Sequence, residues 1–139
     1  MFIDMDVQTI YLPEWDWECT VFYEASENSL QGVLHELRRI GCSRRHFFSA
    51  KAMLLSREPN KGFTVTSFHA RSSVIVIGYT TSYEEFQNTF DHEKGHLARH
   101  ICEAENIDPY GEEAQYLAGE IGQQMWKVAK GYICGCEQR

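Results

Sequence analysis

The spacing of apolar residues changes period several times along the chain. Residues 9–23, TIYLPEWDWECTVFY, are rich in aromatic and β-branched side chains and are interrupted by Pro13, which predicts one or two short strands. The period then turns helical. Leu30, Val33, Leu34, Leu37 and Ile40 recur three and four residues apart, with Gly41 as a stop. RRHFFSAKAMLLSRE, residues 44–58, has a weaker pattern in which Ala50, Ala52, Met53 and Leu54 favour helix, and EPNKG marks a turn. Two strand-like runs, GFTVTSFHA and SSVIVIGYT, meet at Arg71 and Ser72. The first alternates, with Phe63, Val65 and Ser67 on one face and Thr64, Thr66 and Phe68 on the other. The second carries four consecutive β-branched residues, Val74 to Ile77, as a strand buried on both faces would.

Helical spacing returns after Thr81. Ser82 with Glu85 three residues on forms a capping box, and no proline intervenes before Pro109, so a helix is predicted from Ser82 to about residue 104. ENIDPYG breaks it. A last helix is predicted from Glu112 to Lys130, with Leu117, Ile121 and Val128 on one side and Gly131 as its stop. Strands and helices mixed in this way predict an α+β domain, and 139 residues suit a single domain spanning 1–139, with a tail from about residue 131.

Composition narrows the function. Hydrophobic residues make up 43% of the chain, enough for a core. A formal net charge of -7 repels phosphate backbones, which argues against nucleic acid as a partner. RRIGCSRR, with Arg38, Arg39, Arg44 and Arg45, is the local exception and reads as a solvated turn after a helix. The start has two aspartates and no basic region before an apolar run, so no secretory signal is expected, and no window is apolar enough for a membrane span. Five cysteines, an odd number, predict reduced thiols and a cytoplasmic location. Cys134 and Cys136 have no second Cys or His pair at zinc-finger spacing.

One stretch carries chemistry. FDHEKGHLARH, residues 90–100, contains His92, Glu93 and His96 as H-E-x-x-H. On a helix His92 and His96 lie about 40° apart and one turn apart, so both imidazoles can reach one zinc ion. Glu93 projects about 100° from His92, which suits a general base facing a water rather than a third ligand of the same kind. Phe86, Phe90, Leu97 and Ile101 form the stripe to be buried, with the two histidines at its edge, and Gly95 falls on the far side, where a neighbouring element would have room to approach. His100 lies about 12 Å along the axis from His92, so it cannot join the pair on a straight helix. Arg99 and Cys102 stand where a metzincin needs Gly and His. That leaves a carboxylate on the next helix: Glu112, Glu113 and Glu120 are available, and Glu113 and Glu120 share a face with Leu117.

HEKGH followed by EEAQYLA resembles the small gluzincin-type zinc metallopeptidases of the ImmA/IrrE kind, over His92–Ala118. Those proteins have H-E-x-G-H on one helix and E-A-(Asn or similar)-x-Phe-Ala on the next. The resemblance implies Glu113 as third ligand, a zincin-like fold, and a small twisted mixed sheet whose edge strand precedes the motif helix and lines the cleft, a place that SSVIVIGYT would take. The sequence departs from the pattern at Gln115, at Leu117 and at Asp91. The implied function is a zinc-dependent metallopeptidase, with Zn2+ on His92, His96 and Glu113 and Glu93 as general base. Its substrate would be a protein or peptide, such as one specific regulatory protein. Tyr79, Tyr116 and His69 are the candidate oxyanion donors, and Asp91 or Glu120 the candidates to orient a histidine. The alternatives are a catalytically inactive binding or regulatory protein that keeps the scaffold, and an interaction domain anchored by Trp15 and Trp17.

Overall fold

The computed structural model describes residues 7–133. Cys134 and Cys136 lie outside the described residues. The run Ser72–Gly78 becomes strand β4, and every one of its residues is buried. Such a strand needs apolar cover on both faces, and the rest of the chain supplies it. The strands β1 (Val7–Leu12), β2 (Trp17–Ala25) and β3 (Gly62–Ser67) join β4 in one mixed sheet of order β1-β2-β4-β3. β1 pairs with β2 and β3 with β4 antiparallel, while β2 and β4 run parallel.

Helices α1 (Leu30–Ile40) and α2 (Arg44–Ser56) cover one face, where Val33, Leu34, Leu37, Ile40, Ala50 and Leu54 pack on Phe22, Val65, Val74 and Val76. Helices α3 (Tyr83–Glu105) and α4 (Glu112–Ile133) cover the other, where Phe86, Phe90, Leu97, Ile101, Leu117, Ile121 and Met125 pack on Trp17, Cys19, Val21, Ile75 and Ile77. The expected α+β class is thus a four-stranded mixed sheet with four helices. Among the described residues no helix is long and apolar enough to cross a membrane.

Local chemistry fixes the ends of these elements. Gly41 closes α1 in the left-handed region, φ 78°, where a glycine carries no Cβ penalty. The Ser82 hydroxyl accepts the Glu85 N–H and caps α3, which ends at Asn106, φ 59°. Arg71, in the β3–β4 turn, donates to the Asp16 and Trp15 carbonyls, pairs with Glu105 at the end of α3, and stacks over Trp17. One guanidinium therefore ties two turns to the end of α3.

Three expectations need correction. SSVIVIGYT is not the edge strand: β4 sits between β2 and β3, and the edge that precedes the motif helix is β3. Its unbroken apolar run already demanded an interior place. Helix α4 does not stop at Gly131 but runs to Ile133. A helical glycine costs only about 1 kcal/mol relative to alanine. Tyr132 stacks on Phe86 at 5.1 Å and on Tyr23 at 5.8 Å, and Ile133 packs against the same core, which carries the helix past it. Trp15 and Trp17 are core residues, 5% and 0% exposed, so neither is presented to a partner.

Because β4 is wedged between two helical layers, Ile75→Ala is expected to cost about 2–5 kcal/mol through lost burial and the cavity left behind. Urea denaturation would show it as a lower midpoint with an unchanged slope. A midpoint matching the wild type would mean that β4 is not the centre of the core.

Candidate functional site

The alternation along β3 turns Thr64 and Thr66 toward α3, and the helical period of α3 turns His92, Glu93, His96 and His100 toward β3. Between them lies a cleft of about 380 Å³, lined also by Gly62, Phe63, Phe68 and His46 at the start of α2. Gly62 is what lets helix and strand come this close. A Cβ there would stand 2.8 Å from the Val76 carbonyl oxygen, 2.9 Å from Thr89 Cγ2 and 3.1 Å from Glu93 Cγ. Gly95 has no such role: it is exposed with nothing within 4 Å, so no neighbouring element approaches it.

Glu93 is 3% exposed. The Thr64 hydroxyl lies 2.8 Å from its Oε1 and 3.1 Å from its backbone carbonyl oxygen and donates its hydrogen to them. Burial pushes the Glu93 carboxyl above its ordinary pKa, and the Thr64 hydrogen bond and the neighbouring His92 and His96 pull it part of the way back. A carboxyl so placed is a better proton acceptor than a solvated one.

His92 and His96 are exposed at the mouth of the cleft. Their Nε2 atoms lie 3.1 Å apart and their ring centroids 4.7 Å apart, so one imidazole donates to the other. Two nitrogens on a tetrahedral zinc at ~2.0–2.1 Å stand about 3.3 Å apart, so the pair fits two positions of such an ion.

The third expected ligand is not brought to them. Neither Glu113 nor Glu120 lines the cleft, and among the described residues no group of three His, Cys, Asp or Glu is arranged to hold a metal ion. The reason is angular. Helix α4 does fold back along α3, as the ENIDPYG turn suggests, with Gly122 against Lys94 and Glu113 near enough to Cys102 to help burial raise its thiol pKa. Lys94, Ala98 and Cys102, however, lie about 200° around the helix from His92, His96 and His100. Glu113 also lies level with Cys102, about 9 Å along the axis from His96.

The remaining candidates are elsewhere too. Asp91 is exposed, accepts from Gln87 and pairs with Lys94 on the solvent side. Tyr79 donates to the Arg57 carbonyl at 2.6 Å, away from the cleft. Tyr116 is 73% exposed on α4, and His69 is exposed in the β3–β4 turn. Two residues that sequence reasoning did not place here are His46, from α2, and His100, whose Nδ1 meets the Thr66 hydroxyl at 2.7 Å. The i, i+4, i+8 row on α3 was the available signal for His100, and burial lowers its pKa. Compared with known proteins, the chain matches no family model, no curated protein and no solved structure.

The pKa of Glu93 has a consequence for stability. A carboxyl raised above its unfolded value favours folding in its protonated form, so its contribution is present at low pH and lost as pH rises through the folded pKa. In metal-free protein, Glu93→Gln is therefore expected to melt above the wild type at pH 7. The gap should close as pH falls toward the ordinary glutamate value of 4.5. Thermal melts at both pH values check this, and a variant less stable than the wild type at pH 7 contradicts it.

Proposed function

We propose that the cleft between β3 and α3 is the active site of a zinc-dependent metallopeptidase, built as a small zincin-like domain. One observation carries the proposal: the His92 and His96 Nε2 atoms converge to 3.1 Å beside the buried Glu93 carboxylate, in a cleft walled by an edge strand. Each part of that arrangement has a use in peptide hydrolysis.

His92 and His96 would hold the ion. Zinc, when bound, supplies Lewis acidity that polarises a carbonyl and acidifies a water. Glu93 takes the proton of the attacking water and returns it to the leaving amine, a shuttle suited to a carboxyl whose pKa burial has raised. The Thr64 hydroxyl holds that carboxylate in one orientation. As the edge of the sheet, β3 can take an extended peptide by strand addition. The substrate is accordingly a protein or peptide, and one specific regulatory protein is the class that the family resemblance favours. Glu113 enters as third ligand from that resemblance alone, and serving as one would require the first turn of α4 to leave Cys102.

Metal content of untagged protein tests the reading, together with cleavage of a fluorescence-quenched peptide library. About one zinc per chain is expected in wild type, none in His96→Ala, and a full complement with no cleavage in Glu93→Gln. A wild type that binds no zinc removes the proposal. Zinc bound equally by wild type and Glu93→Gln, with cleavage by neither, converts it to a binding protein on the same scaffold. Loss of metal in Glu113→Gln or in Glu120→Gln assigns the third ligand. Retention in both places it outside α4.

A further inference from the structure

The cleft contains a hydrogen-bonded chain that begins in the buried core. Trp17, 0% exposed on β2, places Nε1 3.0 Å from the Ser73 Oγ on β4. Ser73 is the cross-strand partner of Thr66, and their hydroxyl oxygens lie 2.7 Å apart. Thr66 Oγ1 lies 2.7 Å from His100 Nδ1. The direction of this chain can be worked out from donor capacity. An indole N–H only donates, so Ser73 accepts from Trp17. Ser73 is 1% exposed, and among the described residues its hydroxyl hydrogen has Thr66 as its available acceptor. With Ser73 donating to Thr66, the single Thr66 hydrogen goes to His100 Nδ1. That nitrogen is then an acceptor, and the ring proton sits on Nε2, at the opposite edge of the imidazole.

We propose that His100 is the oxyanion donor of this cleft, a neutral imidazole locked as the Nε2–H tautomer by the relay from Trp17 through Ser73 and Thr66. This rests on the peptidase reading of the same site. His100 lines the cleft, with its ring centroid 6.2 Å from that of His96 and an edge contact from Phe68 at 5.7 Å. A donor fixed before the reaction begins costs no reorganisation when charge appears.

In the step it serves, the water oxygen bonds to the substrate carbonyl carbon and its proton passes to Glu93. The carbonyl π pair moves onto oxygen, and His100 Nε2–H donates a hydrogen bond to that oxygen. The carbon–nitrogen bond then breaks, the pair returns from oxygen to carbon, and Glu93 gives its proton to the amine. His100 keeps its own proton throughout. Thr66, Ser73 and Trp17 act through His100 and are positioning residues.

The tautomer is measured directly, without metal or turnover, from the imidazole nitrogen–proton correlations of histidine-labelled protein. A single Nε2–H form of His100 is expected in wild type, and a mixed form in Thr66→Val and in Ser73→Ala. An Nδ1–H form, or a mixture in wild type, overturns the lock. Against the peptide library, His100→Phe is expected to lower kcat about 10²–10³-fold with zinc content and KM little changed, and His100→Gln, which keeps an N–H donor, to lose less. Equal loss in Gln and Phe overturns the donor role. A wild type that cleaves nothing removes the peptidase reading and the oxyanion role with it, while the spectrum still decides the lock.

Discussion

The structure depends on the complete burial of β4. Seven consecutive buried residues cannot sit at the surface of a two-layer fold, so helices must pack on both faces of the sheet. Two consequences reach the cleft. Placing β4 inside pushes β3 to the edge, and the short turn between them keeps β3 antiparallel and in register, with Thr66 opposite Ser73. The side chains that β3 shows to α3 are then Thr64 and Thr66, hydroxyls rather than the apolar residues of its other face, Phe63 and Val65. A strand whose two faces differ in this way joins the core on one side and a polar cleft on the other.

Those two threonines divide the work. Thr64 holds Glu93, and Thr66 holds His100, two residues apart on the strand and seven apart on the helix. The spacing matches because two strand residues rise about 6.6 Å, while seven helical residues rise about 10.5 Å and long side chains take up the difference. Gly62, one strand period before Thr64, has no side chain where Glu93 and Thr89 press against β3. Gly62, Thr64 and Thr66 therefore form a graded ruler: close approach at one end, hydroxyl contacts beyond it. Its stability cost is the burial of a carboxylate, the kind of local compromise that marks a site rather than a core.

Much of this was legible in the sequence. The apolar periods located α1, α3 and α4 and the strands β3 and β4, because each pattern matches a face that is in fact buried: Val33, Leu34, Leu37 and Ile40 on α1, and Phe86, Phe90, Leu97 and Ile101 on α3. The weaker pattern of α2 only favoured helix, and residues 9–23 left one strand or two open where the structure has two, β1 and β2. The H-E-x-x-H spacing identified the pair that does converge. What periodicity could not supply was the order of strands in space. A continuous apolar run says that β4 is covered on both faces, but the resemblance to a zincin sheet drew it to the edge. Gly131 was read from local propensity, whereas the stacking of Tyr132 on Tyr23 and Phe86 depends on residues more than forty positions away.

The third-ligand question shows the same limit at finer grain. Helix α3 has three separate clients around its circumference: the sheet takes Phe86, Phe90, Leu97 and Ile101, helix α4 takes the side of Lys94, Ala98 and Cys102, and the cleft takes His92, His96 and His100. Sequence spacing fixes the angles between these rows but not which client occupies which row. A carboxylate of α4 was expected in the cleft because the turn after α3 returns α4 along it, with Glu113 singled out by the family resemblance, and that return is correct. Glu113 lands on the row of Cys102, because Leu117, Ile121 and Met125 have to reach the same sheet face as Leu97 and Ile101. Apolar burial of that size outweighs the placement of one solvated carboxylate. The cleft is then left with the residues that α3 and β3 provide between them, with His46 from α2, and His100, which spacing alone had set aside as too far for a shared metal, is held in it by Thr66.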